Sequence, residues 1–324
     1  MGKVAKLASP RNLTVLILIL VGVITGIIIS GTATGKHAAT TIDPTARNAS
    51  RVATAPAAVK VSVLDGAAPG SSANYLLPLG KDLSNYLDKN DPGSSIYLED
   101  LTSHLALHVG ETKAYDIKSL MKVPLVMSLY KAVETGRLKL DDTITLTPSE
   151  IDSGFGDLWK KKAGFQLTLG EAAKLALQQS DNTAIRAIND HVYPVVPQAE
   201  RAYRVVNLDL YIDDQGDSYT STAGYSAIFR CLYTACYNTR EDSDTVLDLL
   251  KHTDYSAPSR LLPTGIPVAH KIGSATTKGN NDCGIVYGPK SPFIFCIMLT
   301  ASQPQADQDV SEIVKRAYDF LEKQ

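Results

Sequence analysis

Hydrophobic residues recur along the chain with two spacings, one typical of helices and one typical of strands. A spacing of roughly three to four positions predicts helices at 79–87, 119–136, 168–179, 183–192, 198–206, 222–236, 244–251 and 310–321. Apolar or alternating runs predict strands at 95–99, 104–109, from His270 onward, 283–287 and 293–300. Strands at both ends and helices in the middle do not fit a parallel sheet of alternating strands and helices. We therefore predict an α+β fold, in which an antiparallel sheet built from both termini is flanked by the terminal helices and lies beside a mostly helical lobe.

The stretch 13–29 is strongly apolar, contains no charged residue and follows three basic residues. Its seventeen residues would span about 25 Å as a helix, which approaches the hydrocarbon thickness of a bilayer. We predict that residues 1–30 form a signal-anchor, a single transmembrane segment with its basic side in the cytoplasm. The alternative is a signal peptide that is cleaved near 31–33. Either one places the rest of the chain outside the cytoplasm, anchored to the membrane or secreted.

Residues 31–74 contain no aromatic side chain and are rich in Ala, Thr, Ser, Gly and Pro, so we predict a flexible linker. The folded domain is predicted at 75–324, because 44% hydrophobic content in 324 residues is ample for a core. A formal net charge of −2 and a pI near 6.3 provide no basic field for a phosphate backbone. Nucleic acid is therefore excluded as a partner, and we expect a monomer.

The four cysteines form no C-x-x-C pair and have no histidine at zinc-finger spacing, so no structural metal is predicted. Cys231 and Cys236 lie in a predicted helix, where side chains five positions apart diverge, and we interpret them as small buried residues. Cys283 and Cys296 lie on two predicted strands and face each other if Tyr287 faces Pro292. A cross-strand disulfide is one option there, and a pair of free thiols, which we favour, is the other.

The chemistry of the chain centres on the stretch 115–130, in which Ser119 precedes Lys122 by three positions. In a helix this spacing puts the hydroxyl and the amine on one face, a single turn apart. The stretch has almost no polar face, so it should be buried, and burial lowers the pKa of a lysine ammonium. Lys122 is therefore a candidate base for Ser119. Ser128 and Lys131 repeat the spacing, so the pattern alone does not decide.

Two further motifs offer complementary chemistry: S-D-N at 180–182 and K-I-G at 271–273. The Ser180 hydroxyl can relay a proton, and the Asn182 amide can hold both a lysine and a substrate carbonyl. Lys271 offers a positive charge for a substrate carboxylate, and Gly273 lets a substrate backbone lie against the strand. Taken singly, S-D-N is also a common turn or cap sequence, and a Lys-x-Gly triplet also occurs at 162–164.

Together and in this order, the motifs resemble those of the class A serine β-lactamases and the related penicillin-binding proteins, S-x-x-K, S-D-N and K-T-G. The resemblance covers roughly residues 75–324. Other segments that look like class A sequences are G-R-L-K-L-D-D at 136–142, G-F-G at 154–156, N-T-A at 182–184 and N-D-C-G-I-V-Y at 281–287.

The resemblance implies acyl transfer. Ser119 would attack a strained lactam or a peptide carbonyl, with Lys122 as proton acceptor, and Ser180 would pass the proton to the leaving nitrogen. The backbone N–H groups of Ser119 and Ser274 would form the oxyanion hole. Lys271 and nearby hydroxyls would anchor the substrate carboxylate, and no metal or cofactor is implied.

The chain departs from the family pattern at two points. Ile272 stands where the third motif has Thr or Ser, so one hydroxyl for the substrate carboxylate is missing, and Ser274 is a candidate to replace it. The glutamate that activates the deacylating water in class A enzymes has no counterpart in the corresponding loop, 207–217. Asp213 or Asp214 are candidate substitutes, although their side chains are shorter.

Three functions fit these features. The first is an exported β-lactamase-type serine hydrolase that acts through an acyl-enzyme on Ser119. The second is a penicillin-binding D-Ala-D-Ala carboxypeptidase or transpeptidase that acts on cell-wall peptides and deacylates slowly. The third is a membrane-tethered binding domain that has lost turnover.

Overall fold

The computed structural model describes residues 61–64, 73–274 and 279–324 of the chain. Its strands and helices follow one another as β1 (Val61–Leu64), α1 (Leu77–Asn90), β2 (Ser95–Asp100), β3 (Ala106–Gly110), β4 (Tyr115–Asp116), α2 (Lys122–Glu134), β5 (Thr143–Thr145), β6 (Gln166–Thr168), α3 (Leu169–Gln178), α4 (Asn182–Val192), α5 (Ala202–Val205), β7 (Tyr211–Ile212), β8 (Ser218–Thr220), α6 (Thr222–Thr234), α7 (Arg240–Lys251), β9 (Val268–Ser274), β10 (Asn280–Val286), β11 (Phe293–Leu299) and α8 (Gln305–Leu321).

A six-stranded sheet in the order β1-β3-β2-β11-β10-β9 lies between two layers of helices. Each pair of neighbouring strands is antiparallel. Alternate residues of β11 point to opposite faces: Phe293, Phe295 and Ile297 pack with apolar residues of α1 and α8, whereas Ile294 and Cys296 pack with the central helices. The predicted α+β fold, with its sheet from both ends of the domain and its helical lobe, is confirmed for the described residues.

The paired cysteines correct the sequence-based interpretation. The expected register is confirmed, because Cys283 pairs with Cys296 across β10 and β11, but the two are joined in a disulfide and are not free thiols. Cys231 and Cys236 also form a disulfide. The predicted helix does not continue to Cys236: α6 ends at Thr234, and Ala235 adopts a left-handed φ of 54°. This reversal brings the two Cα atoms to 4.9 Å.

The amino-terminal predictions are tested only in part. Val61–Leu64 pair with β3 as an edge strand, so these residues do not belong to the linker predicted at 31–74. The run V-S-V-L is rich in β-branched residues, and the free edge of β3 supplies the hydrogen bonds that a lone strand lacks. The apolar stretch 13–29 lies outside the described residues. Within the described ranges, no helix is long and apolar enough to cross a bilayer.

Candidate active site

Ser119 lies in a tight 3-10 turn, Lys118–Met121, immediately before α2. The predicted helix therefore begins at Lys122 and not at Ser119. Lys118 has a left-handed φ of 50°, which turns the chain sharply from β4 into the turn. The buried Tyr225 hydroxyl donates to the Leu120 carbonyl at 2.7 Å. These contacts hold Ser119, which is half-buried, at the wall of a cavity of about 540 Å³.

Lys122 is 5% exposed and donates to three oxygen atoms of the S-D-N turn. Its Nζ contacts the carbonyl oxygen of Ser180, the Oγ of Ser180 at 3.1 Å and the Oδ1 of Asn182 at 2.8 Å. Burial lowers the pKa of Lys122 from 10.5 to about 8, although the charges of Asp181 and Asp152 act in the opposite direction. The two predicted motifs thus meet, and a substantial fraction of Lys122 is neutral near pH 8.

The S-D-N turn owes its shape to bonds around Asp181, which is fully buried. Its carboxylate caps α4 by accepting from the N–H of Ala184 at 2.8 Å and also accepts from the N–H of Leu158 at 2.8 Å. Ser180, before it, has a left-handed φ of 55°. A β-carbon at Gly156 would lie 2.1 Å from the Asp181 carboxylate, so the G-F-G loop packs on the turn at a distance that requires glycine.

Asp152, which the sequence did not single out, supports the site from the other side. Its carboxylate accepts from the Asn182 amide at 3.1 Å and forms an ion pair with Arg186 at 2.5 Å. Burial raises the pKa of Asp152, but hydrogen bonds from Gly154 and Asn182 and the charge of Arg186 outweigh it and hold the pKa below its ordinary value. A lone aspartate before the G-F-G loop carries no sequence signal that would have identified it.

Strand β9 contributes Ser274 to the cavity wall. At Gly273, a β-carbon would lie 2.5 Å from the carbonyl oxygen of Ile117. The absence of a side chain lets β9 pack against the turn that carries Ser119, and room for a substrate backbone along Gly273 stays a prediction. Ser119 and Ser274 both line the cavity.

Lys271 is fully buried and is not among the residues that line the cavity. Its Nζ donates to the Ile272 carbonyl at 3.1 Å and lies 5.8 Å from the ring centre of Tyr255. Burial, and then the charge of Lys122, hold its pKa well below the ordinary value, while Asp282 acts in the opposite direction. Contact between Lys271 and a substrate carboxylate stays a prediction.

The loop predicted to release the acyl group is a β-hairpin formed by β7 and β8. Asp213 lies in its turn, where the carboxylate accepts from the N–H groups of Gln215 at 3.0 Å and Asp217 at 2.9 Å. Asp214 is exposed. Neither of these two predicted residues lines the cavity, whereas Asp217 does. The acidic side chain that this loop presents to the cavity is thus a different one.

The cavity therefore contains part of the predicted site: Ser119, Lys122, Asn182 and Ser274 line it, and Ser180 reaches it through Lys122. Residues that sequence reasoning missed complete the walls: Lys118, Met121, Leu125, Asp152, Phe155, Ile185, Arg186, Tyr193, Gly216 and Asp217. Of these, Phe155 lies in the G-F-G segment, which resembles class A sequences. Among the described residues, no cluster of His, Cys, Asp or Glu could hold a metal ion.

A family model described as the beta-lactamase enzyme family matches residues 78–321. The chain is 25% identical over 205 residues to Beta-lactamase CTX-M-25 of Escherichia coli, a match that covers 58% of this chain and 69% of that protein. It is 22% identical over 241 residues to Extended-spectrum beta-lactamase PER-1 of Pseudomonas aeruginosa, covering 66% of this chain and 78% of that protein.

Among solved structures, PBP-A matches with a TM-score of 0.71 and 22% identity over 77% of this chain and 97% of its own. A mutant of PBP-A, in an acyl-enzyme complex with penicillin G, matches with a TM-score of 0.70 and 22% identity over 77% of this chain and 98% of its own. At this identity the structural likeness establishes the fold.

Proposed function

Because the chain belongs to the beta-lactamase enzyme family, we propose that it is an exported serine hydrolase that opens a β-lactam or related amide through an acyl-enzyme on Ser119. The observation that carries the proposal is the hydrogen-bond set of Lys122, whose Nζ bonds both Ser180 and Asn182 one turn from Ser119. The acyl-enzyme that a PBP-A mutant of the same fold forms with penicillin G supports the choice of substrate.

In the proposed acylation, neutral Lys122 accepts the proton of the Ser119 hydroxyl as its oxygen bonds to the substrate carbonyl carbon. Lys122 with its low pKa suits this step. Because the Ser180 hydroxyl can donate as well as accept, it keeps its contact with Lys122 in either protonation state. Ser180 then delivers the proton to the leaving nitrogen as the amide C–N bond breaks. The N–H groups of Ser119 and Ser274 stabilise the oxyanion, each by roughly 3 kcal/mol.

Asn182 and Ser274 are proposed to bind the substrate, and Lys271 is the proposed partner of its carboxylate. Because burial and the charge of Lys122 hold the pKa of Lys271 well below its ordinary value, we propose that the bound carboxylate itself favours the charged form of this lysine. Gly273 contributes by keeping β9 close to the Ser119 turn. The Ile272 side chain supplies no hydroxyl, so Ser274, which lines the cavity, is the proposed hydroxyl partner of the substrate carboxylate.

Slow release of the acyl group is the second candidate property, and the hairpin favours it. Asp217 presents a carboxylate to the cavity, but an aspartate reaches less far than a glutamate, and a misplacement of about 1 Å can cost on the order of a hundredfold in rate. A protein with this site would behave as a penicillin-binding protein that acts on cell-wall peptides. A binding domain without any acylation is the remaining candidate.

Export is part of the proposal. Two disulfides among the described residues support an oxidising compartment, since such bonds are rare in the cytosol. The apolar stretch 13–29 supplies the proposed anchor, with the enzyme domain outside the cytoplasm.

Incubating the full-length protein in detergent with penicillin G and with a chromogenic cephalosporin tests these alternatives. Absorbance follows turnover, and intact mass follows the Ser119 adduct. Turnover supports the hydrolase, and a lasting adduct without turnover supports the penicillin-binding protein. Absence of both, with Ser119→Ala indistinguishable from wild type, contradicts the proposal.

Ser128→Ala is the matched control, because Ser128 has the same spacing to a lysine but lies buried in α2 and bonds the backbone of Pro124 and Ala202. We expect this variant to lose stability and to keep the adduct.

A further inference from the structure

A buried, hydrogen-bonded pair of side chains, His270 on β9 and Asp282 on β10, takes no part in the chemistry proposed above. The Nδ1 of His270 is 2.8 Å from the Oδ1 of Asp282, and both residues are 2% exposed or less. The Nε2 of His270 is 3.0 Å from the carbonyl oxygen of Tyr255. Residue 284 is a glycine because a β-carbon there would lie 2.6 Å from the His270 β-carbon. The fold therefore makes room for this imidazole.

The two partners of His270 limit where its ring can carry protons. A backbone carbonyl can only accept, so the hydrogen bond to Tyr255 requires a proton on Nε2. An ionised Asp282 also accepts only, so Nδ1 carries a proton as well. The ring donates both bonds only as an imidazolium, with Asp282 as its carboxylate counter-ion. The second carboxylate oxygen of Asp282, Oδ2, is buried and has no hydrogen-bond partner among the described residues.

Tyr255, whose carbonyl contacts His270, belongs to the segment 253–255, which is hydrogen-bonded to the end of α3 just before the S-D-N turn. The N–H of Asp254 donates to the Gln178 carbonyl at 3.0 Å, and the hydroxyl of Thr253 donates to the same oxygen at 3.1 Å. Gln178 ends α3, two residues before Ser180. A continuous path of hydrogen bonds thus runs from Asp282 through His270 and the segment 253–255 to the end of the helix that precedes the turn.

At its other end, this path of hydrogen bonds begins on β9, which carries His270. Lys271 follows His270 directly, and the Tyr255 ring faces its Nζ. The charge of Asp282 also raises the pKa of Lys271 against the effect of burial. Ser274, which lines the cavity, lies on the same strand and on the same face as His270.

We propose that the His270–Asp282 ion pair is a positioning device, which fixes β9 with Lys271 and Ser274 against the S-D-N turn and thereby sets the rate of Ser119 acylation. The inference rests on the proposed function for its readout, but the state of the pair can be measured without substrate. The pair contacts no reacting atom in this scheme and acts through β9 and Tyr255.

Asp282→Asn removes the negative charge and keeps an oxygen that can accept from His270. An imidazolium without its counter-ion is costly to bury, so His270 loses one proton, and its charge-assisted bond to position 282 becomes a weaker bond between neutral groups. We expect the limiting acylation rate with penicillin G to fall at least tenfold, with a smaller change in the concentration that gives half the limiting rate. Asp282→Glu restores the carboxylate and should recover part of the rate.

Glu99→Gln is the matched control, because Glu99 is also a buried carboxylate of the same sheet, bonded to Arg230 at 2.9 Å. It should lower the melting temperature and leave the acylation rate within about twofold of wild type. Equal loss of melting temperature in Asp282→Asn and Glu99→Gln, with unchanged acylation in both, would overturn the proposal.

Nitrogen-15 NMR of the histidine rings provides the second measurement, with His270→Asn identifying the signal. We expect both ring nitrogens of His270 to be protonated at pH 7. A neutral ring would overturn the ion pair, even if wild type is acylated normally. If wild type fails to react with penicillin, the proposed function is contradicted. The NMR measurement would still show whether His270 and Asp282 form an ion pair, because it needs no substrate.

Discussion

The two sides of the cavity differ in how firmly their polar groups are held. On the side of α2 and α4, the buried Lys122 donates to three oxygen atoms of the S-D-N turn, and Asp181 fixes the turn beneath it. On the opposite side, the β7–β8 hairpin presents the exposed Asp217. In the proposed function, the first side forms the acyl-enzyme, whereas the second offers one short carboxylate for releasing it. The difference predicts that the two half-reactions respond to different mutations.

Removing the amine of Lys122 has the largest expected effect. Lys122→Met eliminates the proton acceptor, and we expect acylation by penicillin G to slow by about 10²–10⁴-fold, as for loss of a general base. Lys131→Met is the control, because Lys131 pairs with Glu134 and has the same three-residue spacing to a serine. Equal acylation rates in Lys122→Met and wild type, followed by mass spectrometry, would rule out Lys122 as the base.

The same lysine predicts a pH dependence. In wild type the acylation rate should rise with pH through about 8, where Lys122 loses its proton, and this rise should vanish in Lys122→Met. The pKa in the folded state lies below the unfolded value of 10.5, so the unfolded chain binds more protons between these limits. The contribution of Lys122 to stability therefore increases as pH rises from about 8 to 10.5, by on the order of 3 kcal/mol.

Gly273→Ala tests whether acylation depends on the close packing of β9 against the turn that carries Ser119. The new β-carbon would lie 2.5 Å from the Ile117 carbonyl oxygen, so strand and turn must move apart. A displacement on the order of 1 Å predicts an acylation rate roughly a hundredfold lower. Ile272→Val removes one methyl at the neighbouring position and should stay near wild type. If Gly273→Ala retains full activity, β9 does not set the geometry of the oxyanion hole.

Asp217→Asn tests whether the β7–β8 hairpin supplies the base for release of the acyl group. If Asp217 activates the deacylating water, hydrolysis of the penicillin G adduct should slow by about tenfold or more while acylation is unchanged. Asp214→Asn should have no effect, because Asp214 does not line the cavity. Asp213→Ala should slow release indirectly, since its carboxylate bonds the N–H groups that shape the hairpin. Decay of the adduct at the wild-type rate in Asp217→Asn would exclude it as the base.

Much of the side formed by α2, α4 and the S-D-N turn could be predicted from the sequence. Its motifs are short, and the hydrophobic spacing of the neighbouring residues predicts the helices that carry them. The Ser119–Lys122 spacing and S-D-N each need one turn of chain, and the structure brings them together as expected. The antiparallel sheet built from both ends of the domain followed from the positions of the predicted strands. These features depend on patterns that a single stretch of residues carries.

The parts that sequence reasoning missed depend on contacts between distant residues or on single backbone angles. The hairpin is ordered because β8 pairs with β4, roughly a hundred positions earlier. The Cys231–Cys236 bond follows from the left-handed conformation of Ala235, a residue type that gives no such signal. Asp152 joins the site through Asn182 and Arg186, neither of which is adjacent to it in the chain.

Asp152→Asn should produce the smallest change of these variants. It tests whether the charge of Asp152 influences the pKa of Lys122. The negative charge of Asp152 raises the pKa of Lys122, so its removal should shift the rise of the acylation rate to lower pH, by less than one unit. The asparagine keeps an oxygen for the Asn182 amide, so the geometry of the turn should survive. Asp157→Asn, an exposed acid that pairs with Lys160 on the same loop, is the control and should leave the profile in place. A shift to higher pH in Asp152→Asn would mean that Asp152 acts on Lys122 through the position of Asn182 and not through its charge.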